Sequence, residues 1–339
     1  MTRVLFLPIS GRQGASSRYR VYQFIPLLEA ADISMDVMTP EPKARGLMRP
    51  IKGWYEERAC LKAAEGADII FIQKRLFPVG FIQSLRRLGK KIVFDLDDSI
   101  FTSPKMDWSG PTRAKVLARL SAVLEASDLV IAGNRFLASK TREIGARRVE
   151  VLPTCLDLSG YRAREHRQGP PVVGWIGSSV NHFYLDNLSG VMRGLSGEFP
   201  GLRLLVVSDK EYRMDGVEVE NSRWSEGSEI DDLLRMDVGL MPLADDDWTR
   251  GKCAFKAIQY MACGIPSVCS PVGANIELVE DGVDGFLPKD ESGWFDALAA
   301  LLSSPEKRAG MGRAAYGKIE SEYSLAAVGP GFVGLLRGI

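Results

Sequence analysis

The sequence predicts an α/β protein made of two doubly wound domains in series. Three observations carry this. Short β-rich runs alternate with longer amphipathic stretches along the chain. The alternation breaks once, in the Pro- and Gly-containing polar stretch Pro153 to Pro171. A length of 339 residues suits two domains of roughly 100 to 200 residues each.

In the first half Arg3 to Pro8, Ile33 to Met38, Asp68 to Gln73, Lys91 to Asp95, Asp128 to Ala132 and Val149 to Leu152 read as strands. Between most of them, Arg18 to Ala31, Val79 to Leu88, Thr112 to Ala126 and Arg135 to Ile144 repeat apolar residues at helical spacing. Strand, helix, strand repetition gives a parallel sheet covered on both faces. Gly160, Gly169, the polar run Arg162 to Gln168 and the pair Pro170-Pro171 then mark a linker, 156–170, between a domain of residues 1–155 and one of residues 171–322. Strands resume at Val172 to Ile176, Leu202 to Val207, Val217 to Glu220, Val238 to Met241, Ser267 to Cys269 and Gly285 to Leu287. Helices are expected at Leu185 to Gly194, Phe255 to Cys263, Trp294 to Ser303 and Glu306 to Glu322, and the segment 323–339 is expected to return to the first domain. Such sheets bind ligands outside the carboxyl ends of their strands, so two domains facing across a cleft place the expected site in that cleft.

Composition narrows the class. With 45% hydrophobic and 25% charged residues the chain can bury full cores and is not disordered. No apolar run approaches the roughly 18 residues of a membrane span. Five cysteines without a CxxC pair indicate neither a disulfide framework nor a zinc ribbon, which fits a reducing cytoplasm. The zero net charge hides an asymmetry: residues 1–155 carry 25 Lys and Arg against 16 Asp and Glu, residues 156–339 carry 18 against 27. Opposite charges either help two domains face each other or bring the basic half to an anionic partner, such as lipid headgroups or a phosphorylated acceptor. Arg86-Arg87, Lys90-Lys91 and the mixture of Trp54 and Tyr55 with Lys43, Arg45, Arg49, Lys52 and Arg58 suit a membrane interface or an acceptor.

Among nucleotide motifs, Ser10-Gly11-Arg12-Gln13-Gly14 lacks the full GxGxxG, and no GxxxxGK[ST] occurs, so NAD and P-loop enzymes lose ground. The turn at Gly14 still offers backbone N–H groups before a helix. In Arg250 to Ser270, Lys252 and Lys256 stand at the start of a helix, where the dipole disfavours cations, so either an anion sits opposite them or they are solvated on a helix face. Asp95-Leu96-Asp97 matches DxD, but we assign no metal to it.

The run Gln259-Tyr260-Met261-Ala262-Cys263-Gly264-Ile265-Pro266, with Ser270-Pro271-Val272-Gly273, Glu277 and Asp281 to Leu287, resembles the carboxy-terminal signature of glycosyltransferase family 4. Ser17 to Val21, Val93 to Asp98 and Ile131 to Asn134 extend the likeness over nearly the whole chain. The resemblance implies the GT-B architecture of two Rossmann-like domains and a retaining transferase that uses a UDP- or GDP-linked sugar as donor and needs no cofactor or metal. The family's two Glu residues, seven apart between them, fall here on Gly251 and Gln259, and its diphosphate Arg and Lys are replaced in Gly174 to His182. Gln259 keeps an acceptor and gains an NH₂ donor for a ribose hydroxyl.

The resulting assignment places Asp98 and Lys252 in catalysis. Gly14, Gly177, Ser178, Ser179, Lys252, Lys256 and Gln259 are assigned to the donor, Arg223 and Trp224 to its base, and Arg18 and Asp97 to the acceptor. The acceptor is a glycan, a lipid-linked or a small molecule rather than nucleic acid, as in cell-surface polysaccharide synthesis, on a cytoplasmic protein peripheral at the inner membrane face. His166 falls in the linker, and His182 is either a donor ligand or a residue at a helix start. Two other readings of the same fold are a non-catalytic nucleotide-sugar-binding or scaffold protein and a sugar-nucleotide epimerase.

Overall fold

Runs such as Val4 to Leu7 and Ile69 to Ile72 are apolar at consecutive positions, and successive side chains of a strand point to opposite faces, so these strands need cover on both sides. The computed structural model describes residues 2–40, 48–103, 108–165 and 169–339 and provides that cover. Lys43, Arg45 and His166, and the side chains of Arg49 and Lys52, lie outside the described residues. The chain forms two units: Met1–Thr154 with Gly251–Cys253 and Val328–Ile339, and Cys155–Arg250 with Ala254–Ala327.

In the first unit six parallel strands, β1 (Thr2–Leu7), β2 (Ile33–Val37), β3 (Ile69–Gln73), β4 (Lys91–Leu96), β5 (Leu129–Ala132) and β6 (Val149–Val151), lie in the order β2-β1-β3-β4-β5-β6. The helices are α1 (Ala15–Arg20), α2 (Ile25–Ala30), α3 (Met48–Glu65), α4 (Val79–Arg87), α5 (Gly110–Ala126) and α6 (Arg135–Ile144). The helix expected over Arg18 to Ala31 is split, because Val21 leaves the helical region at φ −131° and Pro26 starts a new helix in its first turn. Helix α3 was not foreseen, since exposed Trp54 and Tyr55 blur its apolar stripe.

One ion pair sits in this core. Arg20 and Asp95 pair with about 1% of either side chain exposed, and Arg20 also donates from Nη1 to the Leu152 carbonyl at 2.8 Å. Burial opposes the guanidinium charge, but Asp95 more than restores it and raises the Arg20 pKa.

The second unit holds β7 (Val172–Ile176), β8 (Arg203–Ser208), β9 (Glu218–Arg223), β10 (Val238–Met241), β11 (Ser267–Cys269) and β12 (Gly285–Phe286), all parallel, in the order β12-β11-β10-β7-β8-β9. Around them run α7 (Phe183–Asp186), α8 (Ser189–Glu198), α9 (Glu229–Leu233), α10 (Asp247–Arg250), α11 (Phe255–Ala262), α12 (Ala274–Leu278), α13 (Glu291–Leu302) and α14 (Pro305–Lys318). Helix α15 (Leu325–Arg337) belongs to the first unit from Val328 on, where Phe332 stacks on Phe24 and Phe71 at 4.3 and 5.7 Å.

Residues 155–170, read as a linker, pack with the second unit. Leu156 exchanges backbone bonds with Tyr323 and Leu325 at 2.9 and 2.7 Å, and Arg164 N–H donates to the Cys263 carbonyl at 2.8 Å.

Replacing Arg20 by Met should leave the Asp95 carboxylate buried without its partner, at a cost of about 3–5 kcal/mol. Urea titration of the full chain should show the first unit's transition at lower denaturant, with the double variant Arg20→Met/Asp95→Asn recovering part of the loss.

Candidate functional site

Strand order reverses beside the first strand of a doubly wound sheet, and the crevice between the diverging loops is where such sheets hold ligands. In the second unit the reversal lies between β7 and β10. The Tyr260 hydroxyl bridges them there, accepting from the Ile176 N–H at 3.1 Å and donating to the Leu240 carbonyl at 3.2 Å. Because Ile176 ends β7, this bridge sets the first turns of α11 at the carboxyl edge of the sheet.

Two predicted residues ride on that helix. Lys256, half-buried in its first turn, places Nζ 5.4 Å from the Trp175 ring centroid. Gly177 makes room for both: a Cβ there would meet Lys256 Cε at 2.7 Å and the Trp175 ring at 2.8 Å. Residues 257–262 are buried one after another, Gln259 among them at 2% exposure. Its Nε2 has no hydrogen-bond partner. A buried donor left so costs about 1–3 kcal/mol, and an incoming acceptor would recover it.

The other donor-side predictions fare differently. Ser179 directs both its N–H and its hydroxyl to Asp209, at 2.6 and 3.0 Å, so those donors are engaged within the protein. The Ser179 N–H is the main cause that holds the Asp209 carboxyl down to about 2. Ser178 is exposed at the start of a 3₁₀ turn. His182 bonds Ser208 Oγ at 2.9 Å and meets the Trp175 and Tyr212 rings edge-on, and burial lowers its pKa. At the end of β9, Arg223 is exposed, while the Trp224 indole, 36% exposed, is anchored by a 2.7 Å bond from its N–H to Glu229. A cavity of about 420 Å³ in this unit is lined by Leu243, Asp245, Ser270, Val272 and Trp294 among others, and by none of the predicted donor residues.

In the first unit the reversal lies between β1 and β3, and a polar chain fills it. Gln73 Oε1 accepts from Ile9 N–H at 2.9 Å and from Ser17 Oγ at 3.0 Å, and Nε2 donates to Ser16 Oγ at 2.7 Å. Ser16 in turn donates to Asp97 at 2.7 and 2.8 Å. Lys74, in the left-handed region at φ 60°, pairs with Asp97 at 3.1 Å and with Asp98. Burial opposes charge on both Lys74 and Asp97, yet their attraction prevails, raising the lysine and lowering the carboxyl. Each carboxylate of Asp95-Leu96-Asp97 therefore meets a protein cation, Arg20 or Lys74. Of the predicted residues here, Asp98 keeps 28% of its side chain exposed. Arg18 lies over the Tyr19 ring at 4.4 Å, and Gly14 gives its N–H to the Gly11 carbonyl at 3.0 Å rather than presenting it outward. Lys74, Ser16 and Gln73 were missed, because their pairing joins residues 23 to 81 positions apart.

Gly251 to Cys253 pack with this first unit. A Cβ on Gly251 would meet Ser99 N at 2.7 Å and clash with Ser99 Oγ. Asn134, the N-cap of α6, donates from Nδ2 to the Lys252 carbonyl at 3.0 Å. The buried Cys253 thiol donates to the Asp97 carbonyl at 3.3 Å, and burial pushes its pKa up. Lys252 and Lys256 thus belong to different packing units, parted in the chain by Ala254 at φ 53°. Among the described residues no three His, Cys, Asp or Glu side chains converge to hold a metal ion, and no helix is long and apolar enough to cross a membrane.

Residues 170–304 match the family described as glycosyl transferases group 1. No curated protein matches the chain in sequence. Among solved structures, the sucrose-phosphate synthase of Thermosynechococcus elongatus is similar at 16% identity and TM-score 0.78, over 100% of this chain and 99% of that one. HepE of Anabaena, in complex with UDP and glucose, is similar at 17% identity and TM-score 0.68 over 100% of both chains. A glycosyltransferase of Rickettsia africae reaches 11% identity and TM-score 0.70 over 99% and 98%. The fold is the two-domain GT-B fold.

Two stability changes follow from this packing. Gly251→Glu should cost about 1–3 kcal/mol by overpacking against Ser99 and lower the Tm by several degrees in a thermal scan. Because the His182 pKa is lowered by folding, the unfolded chain takes up the proton first as pH falls through 6.5, so stability should decline there. His182→Gln should flatten that part of a stability-versus-pH curve.

Proposed function

We propose that the protein transfers a sugar from a nucleoside diphosphate sugar to an acceptor hydroxyl with retention at the anomeric carbon. The observation that carries this reading is Gln259: a buried amide with an unpartnered Nε2, one helical turn from Lys256, on the helix whose Tyr260 bridges the strand-order reversal of the unit that matches the glycosyltransferase family. Nε2 donates to a ribose hydroxyl oxygen and Oε1 accepts the hydroxyl proton. Lys256, at a helix start, meets the diphosphate, and Lys252 adds charge, so that negative charge growing on the leaving group is stabilised by lysines in place of a metal. The acceptor hydroxyl attacks from the face the diphosphate leaves, and its proton passes to a phosphate oxygen. Asp98 orients the acceptor hydroxyl or the sugar. UDP is the favoured base carrier, in keeping with the UDP complexes of HepE. The acceptor is a glycan or a lipid-linked molecule of a cell-surface polysaccharide, met at an anionic membrane face.

A second reading, a non-catalytic nucleotide-sugar binder, is favoured by one observation: the position of the family's first Glu holds Gly251, with no room for a side chain.

Calorimetric titration with UDP, GDP and uridine, and product analysis with and without acceptor, tests both. Lys256→Ala should weaken UDP binding about ten- to a hundredfold, the loss of a charge-assisted bond worth about 1.5–3 kcal/mol, and leave uridine binding nearly unchanged. Gln259→Ala should weaken both alike. Unchanged UDP affinity in Lys256→Ala and Lys252→Ala would overturn the diphosphate site, and tight UDP-sugar binding with neither transfer nor hydrolysis would favour the binder.

A further inference from the structure

Helix α3 sorts its side chains by chemistry. Cys60 and Ala64 enter the core. Two of its three acidic residues turn toward the protein as well: Glu56 bonds Arg75 at 2.6 Å, and half-buried Glu57, its pKa raised by burial, lies in the field of Arg119, while Glu65 at the end of the helix is exposed. Trp54, Arg58 and Lys62, spaced by four residues, share the outer face with Tyr55. Trp54 and Tyr55 are 53% and 63% exposed, and their rings meet edge-on at 5.1 Å with the Arg58 guanidinium 5.2 Å from the Trp54 centroid. Two large aromatic rings held together in water are costly to hydrate, and their polar edges suit a boundary between apolar and wet phases. Two carboxylates that would repel an anion have been drawn toward arginines, and the outer face is mainly aromatic and cationic, with Glu65 its exposed carboxylate.

The unit that bears this face carries 27 Lys and Arg against 16 Asp and Glu, a net charge of +11. From this complementarity we propose that the outer face of α3 docks on an anionic lipid bilayer, with Trp54 and Tyr55 at headgroup level and Arg58 and Lys62 on lipid phosphates. This deepens the reading of an acceptor met at a membrane face and does not depend on the donor chemistry.

Co-sedimentation of the full chain with vesicles of phosphatidylcholine alone, and of phosphatidylcholine with phosphatidylglycerol, at low and high salt, tests the assignment. Binding should require phosphatidylglycerol and fall with salt. Arg58→Gln/Lys62→Gln should lower partitioning roughly 25-fold, at about 1 kcal/mol for each cation near the surface. Trp54→Ala/Tyr55→Ala should lower it at least tenfold and remove the quenching of tryptophan fluorescence by brominated lipid. UDP affinity, measured on the same variants, should not move, so a failed donor reading and a failed membrane reading show separately. Parent-level binding by the aromatic variant, equal binding to both vesicles, or binding to neither overturns the proposal. So does dimerisation of the parent that the aromatic variant abolishes, which would make the face a self-association surface.

Discussion

Both sheets reverse their strand order beside the first strand, and this constraint organises everything of chemical interest in the molecule. Right-handed crossovers that leave a parallel strand toward opposite edges must run over opposite faces. The loops at the reversal therefore diverge, and backbone groups there lose the neighbours that a continuous series of crossovers would supply. Each unit closes the gap with a single side chain that reaches both sides: Tyr260 between β7 and β10, Gln73 between the loop after β1 and the residues around Ser16.

The two crevices differ in what is left over. In the first unit the three carboxylates of the Asp95 to Asp98 run share two cations, Arg20 and Lys74, and the Ser16 hydroxyl, so much of their charge is met from inside and the loops that carry them are held together. In the second unit the helix at the crevice is buried nearly all round, yet its polar residue ends in an amide nitrogen with nothing to bond. A satisfied network rigidifies, whereas an unsatisfied donor at a strand-order reversal is a standing cost that a ligand removes.

The strands were legible because buried parallel strands are continuous apolar runs, and their observed bounds differ from expectation by only a few residues at most ends. Helix α3 was not legible, because its aromatic residues face outward and a periodicity argument takes aromatics for core. The nearness of Lys256 and Gln259 followed from spacing on one helix. Engagement of Ser179 by Asp209, of Asp97 by Lys74 and of Gly14 by Gly11 depends on loops meeting in space, and residue types alone do not say which serine or aspartate already has a partner. The same holds for the two lysines: spacing puts Lys252 just before the helix and Lys256 in its first turn, but it does not say that a left-handed residue lies between them or that Lys252 groups with the first unit.

Gly251 also bears on descent. A single substitution there that introduces a carboxylate drives its Cβ into the backbone nitrogen of Ser99, and shortening Ser99 does not remove that nitrogen. Any lineage that gains an acidic side chain there must first move the loop after β4, through intermediates that have lost the old packing without yet gaining the new side chain. The glycine is in that sense a barrier: selection acting one residue at a time can change the side chains around it, while a carboxylate at this position lies across a valley of less stable sequences.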